Sequence, residues 1–136
     1  MPSNLRIIRL RDLISLELEG KLDFSKSKEG LQKIVAVPGA FIDHDVLIDT
    51  RGTESLLSVV DIWEIARDLA NAVHASPTKG FFAKIAVICP IEHFDNAKFL
   101  ELCAQNRGLN VHAFTAFEDM FEWISESSPP NSDKSL

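Results

Sequence analysis

The chain has 136 residues, enough for one domain with a self-sufficient apolar core. Apolar residues make up 46% and charged residues 25%, the balance of a soluble globular protein. The 20 acidic against 14 basic side chains give a net charge of −6, which argues against nucleic acid as a partner, because phosphate binding needs a surplus of Lys and Arg. Arg6, Arg9 and Arg11 cluster in sequence, but strand alternation does not put Arg6 and Arg9 on one face. No apolar run approaches the roughly 20 residues that cross a bilayer. The N-terminus is polar and lacks a secretory apolar stretch, so a cytoplasmic protein is expected.

Residues 5–10 and 13–19 read as two strands. In the second, Ile14, Leu16 and Leu18 alternate with Ser15, Glu17 and Glu19. The short Arg11-Asp12 link implies an antiparallel pair, and Gly20 is expected to end the second strand. A helix follows, with Leu31, Ile34 and Val35 on one face, weakened by Gly30 by about 1 kcal/mol relative to Ala and stopped by Pro38-Gly39. Val46–Asp49 is a buried strand, and Thr50–Leu57 is expected as a loop on the rim beyond it. The next helix carries Val59, Ile62, Trp63, Ala66, Leu69, Ala70 and Val73 at i, i+3, i+4, i+7 spacing.

Ala75–Gly80 reads as a loop, and Ala83–Cys89 as a third buried strand closed by Pro90. A helix over roughly Phe94–Asn106 is capped near Gly108. Leu109–Phe114 is a short last strand, and Phe117, Met120, Phe121 and Ile124 form a final helical stripe. Residues 1–124 are therefore expected as one domain, and 125–136, with Ser-Ser-Pro-Pro-Asn-Ser, as a disordered tail. The fold class is α/β: a small mixed, mostly parallel sheet in the order β-β-α-β-α-β-α-β-α, its first strand antiparallel.

Cys89 and Cys103 lie far apart without metal-binding spacing and read as small buried apolar residues. His44, His74, His93 and His112 show no i, i+4 pairing, so neither metal nor cofactor is expected. Sites in open α/β sheets lie outside the carboxyl ends of the strands. That points to the rim after Val46–Asp49. Asp49 and Arg51 alternate with Thr50 and face one side, either as an ion pair that organises the loop or as an anion or partner site.

Ser58 and Asp61 have capping-box spacing, with Asp in place of the usual Glu or Gln. A phosphate on Ser55 or Ser58 would sit on the positive end of the following helix dipole. His93, after Cys89-Pro90-Ile91-Glu92, is expected to reach the same rim. A Cys89–His93 nucleophile pair is imaginable, but nothing marks an oxyanion hole, so the chain is read as no enzyme. Phe24, Phe41, Phe81 and Phe82 are expected as core and lid packing, or as the lining of an apolar cavity or dimer patch.

Three stretches carry a resemblance in their order and spacing. They are Val46-Leu47-Ile48-Asp49-Thr50-Arg51-Gly52, Lys84-Ile85-Ala86-Val87-Ile88-Cys89-Pro90, and Val111-His112-Ala113-Phe114 followed by Phe117–Ile124. Over about residues 5–124 the sequence resembles the SpoIIAA-like branch of the STAS domain family. Such domains are not generally enzymes; the resemblance implies protein–protein regulation or small-ligand sensing. Anti-sigma-factor antagonists of that family are switched by phosphorylation of a Ser in an Asp-Ser-Ser-Gly-like motif. This chain departs there, with Gly52-Thr53-Glu54-Ser55-Leu56-Leu57-Ser58.

The leading expectation is a regulatory or interaction module that binds an unidentified protein partner, with Asp49, Arg51, Ser55, Ser58 and His93 as the candidate binding residues. The alternatives are a carrier of a small apolar or amphipathic, lipid-like ligand and a small hydrolase. A homodimer is the favoured assembly by base rate.

Overall fold

The computed structural model describes residues 4–9, 13–37, 40, 44–75 and 84–126. Five strands form one sheet: β1 (Asn4–Arg9), β2 (Leu13–Leu22), β3 (Asp45–Ser55), β4 (Lys84–Ile88) and β5 (Asn110–Phe114). They lie side by side in chain order, with β1 antiparallel to β2 and every later pair parallel. This is the expected α/β order. A right-handed crossover repeated in one direction places its helix on the same face each time. Accordingly α1 (Phe24–Val35), α2 (Val59–His74) and α3 (Phe94–Gln105) share one face. The last helix, α4 (Phe117–Ser125), crosses to no further strand and covers the opposite face.

Two cores result. Ile14, Leu16 and Leu18 of β2, Val46 of β3, Ile85 and Val87 of β4 and Val111 of β5 point toward α1–α3, where Ile34, Leu69, Ala70 and Ala104 meet them. Leu47, Ala86 and Ile88 point the other way, onto Met120 of α4. On that second face β1 and β2 carry a cross-strand ion pair, Arg6 Nη2 to Glu17 Oε1 at 2.6 Å. The alternation in β2 is as expected from its sequence.

Strand lengths differ from expectation in a coupled way. β2 does not end at Gly20 but runs to Leu22, and β3 does not end at Asp49 but runs to Ser55. Each extension is the other's partner, with Glu19–Leu22 pairing residue by residue with Gly52–Ser55. Thr-Arg-Gly-Thr-Glu-Ser reads as loop because it lacks apolar alternation, yet a parallel neighbour satisfies its backbone groups. Gly20 has φ +88°, a left-handed conformation that glycine adopts without steric cost.

Helix ends follow local chemistry. Asp23 caps α1, its carboxylate accepting from the Lys26 N–H at 2.8 Å. Pro90 leads into a 3-10 turn, Ile91–His93, that was not expected before α3. Gly108 has φ +85°, and its N–H donates to Gln105 O at the end of α3. Lys84 Nζ donates to Trp123 O at 2.9 Å and Glu126 O at 2.7 Å, placing a cation at the C-terminus of α4. That helix ends at Ser125, inside the segment expected as tail. Val35, expected on the buried face of α1, is half exposed. Arg11-Asp12, Pro38-Gly39, Phe41, Phe81, Phe82 and the tail beyond Glu126 lie outside the described residues.

Gly30 has a packing reason to be small. A Cβ there would stand 2.9 Å from Leu16 Cδ2, so α1 lies close on β2 at this point. The obstructing atom is the end of a flexible side chain. For Gly30→Ala the helix-propensity gain of about 1 kcal/mol should offset the displacement of Leu16. The expected net change in urea-unfolding free energy is below about 1 kcal/mol. A loss above about 2 kcal/mol would show that Leu16 has no room to move.

Candidate functional site

The rim is shaped by one irregularity in β3. Glu17 pairs with Asp49 and Glu19 with Gly52, so three steps along β3 match two along β2. The extra residue is a β-bulge, and it switches which face the following side chains take. Before it, Val46, Ile48 and Thr50 face α1–α3; after it, Thr53 and Ser55 do. Strict alternation would have set Thr50 and Thr53 on opposite faces. Gly52 permits the close approach, since a Cβ would lie 3.1 Å from Glu19 Cγ and 3.6 Å from Leu18 O. The Thr53 hydroxyl donates to Thr50 O at 2.8 Å across the bulge, and the Thr50 hydroxyl donates to Ile88 O at 3.1 Å on β4.

The five residues read from the sequence as one site therefore divide into three places. Asp49 and Arg51 face α4. Arg51 donates to the Asp49 carboxylate through its backbone N–H (3.0 Å), Nε (3.0 Å) and Nη2 (2.8 Å). Its guanidinium also lies 5.8 Å from the centre of the Phe117 ring. Of the two readings of this pair, the ion pair is the one formed: the Arg51 fork is engaged by its own neighbour, and the pair ties the β3 rim to the start of α4. Burial alone would raise the Asp49 pKa; the hydrogen bonds and charge of Arg51 outweigh it and hold the carboxyl below its ordinary value.

Ser58 belongs to the start of α2. Its hydroxyl accepts from the Asp61 N–H at 3.1 Å, and the Asp61 carboxylate accepts from the Ser58 N–H at 3.0 Å. This is the capping box read from the sequence, complete with Asp at its third helical position. An anion arriving at this helix end meets the Asp61 carboxylate.

Ser55 and His93 are the pair the fold brings together. The Ser55 N–H donates to His93 Nε2 at 3.4 Å, which assigns the imidazole proton to Nδ1. The Ser55 hydroxyl accepts from the Leu57 N–H at 3.3 Å. His93 was expected beside Asp49 and Arg51; the bulge puts it beside Ser55 instead, on the opposite face of the sheet.

Behind Ser55 and His93 lies a cavity of about 120 Å³ between the sheet and α1–α3. Leu16, Leu18, Leu31, Ile34, Leu69 and Leu100 are among its walls. Among the described residues no Asp, Glu, Lys or Arg lines it. Its polar groups are Ser27, Thr50, Thr53, Ser55, Cys89, His93 and Asn96. Thr50, Thr53 and Asn96 were missed by sequence reasoning. Thr53 needed the bulge, Thr50 was read only as the residue between Asp49 and Arg51, and Asn96 is one polar residue among many on an amphipathic helix. Cys89 faces the cavity but its Sγ donates to Phe114 O at 3.7 Å, and burial pushes its thiol up to about 11. It is therefore a thiol at neutral pH and a poor nucleophile.

The five-stranded mixed sheet, with three crossover helices on one face and a fourth helix on the other, matches solved structures of SpoIIAA-like fold. The structure of an anti-sigma factor antagonist from Mycobacterium paratuberculosis is similar to this chain with a TM-score of 0.60 and 14% identity, over 92% of this chain and 96% of that one. An uncharacterized protein with a SpoIIAA-like fold from Shewanella loihica matches with a TM-score of 0.54 and 16% identity, over 90% and 93% of the two chains. No protein-family model and no curated protein matches the sequence.

Two expectations follow from the rim. Ser58→Ala should cost about 1 kcal/mol of stability by removing the cap of α2, read as a lowered urea midpoint with an unchanged m-value. The lowered Asp49 pKa means that its pair with Arg51 stabilises the fold above the ordinary carboxylate range. This contribution is lost as pH falls through the folded-state value. Asp49→Asn should therefore be less stable than the parent by up to about 1 kcal/mol at pH 7, given the half-exposed guanidinium. The gap should narrow as pH drops below about 4 in thermal melts; a gap independent of pH would assign the loss to packing.

Proposed function

We propose that this chain is a non-enzymatic regulatory module whose protein partner docks at the start of α2. The observation that carries this reading is the cluster of exposed apolar side chains there: Leu56, Val59, Val60 and Trp63 are 52%, 64%, 64% and 44% exposed. Ile91, in the turn after β4, is 77% exposed. Folding buries none of these well, and contiguous exposed apolar surface rimmed by polar groups is the usual mark of an interaction site. Trp63 is held between the guanidinium groups of Arg67 and Arg107, at 5.5 and 5.0 Å, so it is presented in a fixed orientation.

The fold supports the same reading, since one structural neighbour is named an anti-sigma factor antagonist. Among the described residues no helix is long and apolar enough to cross a membrane. A phosphate on Ser58 would dismantle the capping box beside Asp61, which makes Ser55 the better-placed hydroxyl for any regulatory modification.

The apolar cavity favours a second reading, a carrier or sensor of a small apolar or amphipathic ligand. Intact mass under native conditions, compared with the denatured mass, tests for such a ligand and for a homodimer together.

Val59→Ser/Val60→Ser leaves the buried face of α2 untouched and should change stability by less than about 1 kcal/mol. For a partner identified with the parent protein, the double variant should bind at least about tenfold more weakly in a titration. Equal affinity would remove α2 from the interface. Loss of self-association in sedimentation, with no other partner affected, would make a second copy of this chain the occupant.

A further inference from the structure

We infer that the cavity between the sheet and α1–α3 is a site for a neutral amphiphile whose one polar group meets Ser55 and His93. The inference rests on the reading of the cavity as a ligand site and names the chemistry of its occupant.

Size sets the first limit. A cavity of about 120 Å³ is comparable with one of about 150 Å³ that takes up benzene. The occupant therefore has on the order of six non-hydrogen atoms, a short alkyl chain or a single small ring. Charge sets the second. Among the described residues no Lys or Arg lines the cavity to pair an anion, and no Asp or Glu to pair a cation. An ion would be desolvated without compensation, at a cost of several kcal/mol.

The position of the polar contacts sets the third. The Thr50 and Thr53 hydroxyls donate to backbone carbonyls, so their hydrogens are already used. The deep walls of Leu16, Ile34 and Leu69 offer only hydrocarbon. Among the described residues the Asn96 amide and the Ser27 hydroxyl have no hydrogen-bond partner, and both line the cavity. The Ser55 hydroxyl keeps its proton to donate while accepting from Leu57. Ser55 adjoins His93 through its N–H, and the imidazole Nδ1–H is the complementary donor. One hydroxyl or carbonyl on an otherwise apolar molecule pairs with Ser55 and His93.

The test titrates the full chain with 1-hexanol and, separately, with hexanoate at neutral pH, following amide shifts by NMR. Saturable hexanol shifts are expected at cavity residues such as Leu31, Ser55, His93 and Leu100, with hexanoate at least about tenfold weaker. Ala97→Leu, which adds bulk from α3, and Leu31→Phe, which adds it from α1, should each abolish the hexanol shifts; either variant that retains the native amide spectrum decides this arm. Absence of shifts with both probes would overturn the ligand site itself. Hexanoate binding as tightly as hexanol would leave the site standing and overturn the neutral class. Hexanol shifts unchanged in a folded filled variant would place the binding elsewhere.

Discussion

The single extra residue in β3, opposite Leu18, governs the chemistry of this molecule. Without it, Thr53 and Ser55 would point toward α4 and the cavity face would present Gly52 and Glu54 at those positions. With it, side chains on both sides of the bulge converge on one apolar space, and the charged Asp49–Arg51 pair is left on the opposite face. The bulge is held by the Thr53-to-Thr50 hydrogen bond and by the close approach that Gly52 allows to β2. It separates an electrostatic clasp for α4 from a largely apolar cavity, two environments that would disturb each other if they shared a face.

The cavity also depends on strand order. Because the strands lie in chain order, three helices compete for one face of the sheet while α4 has the other to itself. Three helices over four parallel strands leave the space at their meeting point dependent on side-chain length. Here small Ala97 and the turn Ile91–His93 sit where larger groups would close it. The exposed apolar start of α2 lies next to Ser55 and Leu57, so the proposed docking surface and the mouth of the cavity are built from one short stretch of chain.

Much of this was legible in the residues. Alternation in Ile14–Glu19 gave the buried face of β2, and the capping spacing of Ser58 and Asp61 gave the start of α2 to the residue. Pro90 marked the exit from β4, and Gly108 the end of α3. Asp49 and Arg51 were correctly seen to share one side, because their alternation is a local property of an extended chain. The mutual extension of β2 and β3 was not legible, since neither Lys21-Leu22 nor Thr53-Glu54-Ser55 carries an apolar pattern strong enough to announce a strand. Nor was the exposure of Val59 and Trp63, which fit the helical stripe but project past the edge of the core.

The sequence by itself determined the elements, their order and hence the class of fold, because apolar periodicity and capping are set by residues within a few positions of one another. It also pointed to the stretch where an apolar run gives way to Asp-Thr-Arg-Gly as the place to look for a site. Only the tertiary structure decided which of those polar residues meet. Whether His93 touches Asp49 or Ser55 depends on the register between β2 and β3, where one unpaired residue reverses the facing of all that follow. Register is a relation between segments distant in sequence, and a shift of one position changes no local pattern while it moves every side chain to the other side of the sheet.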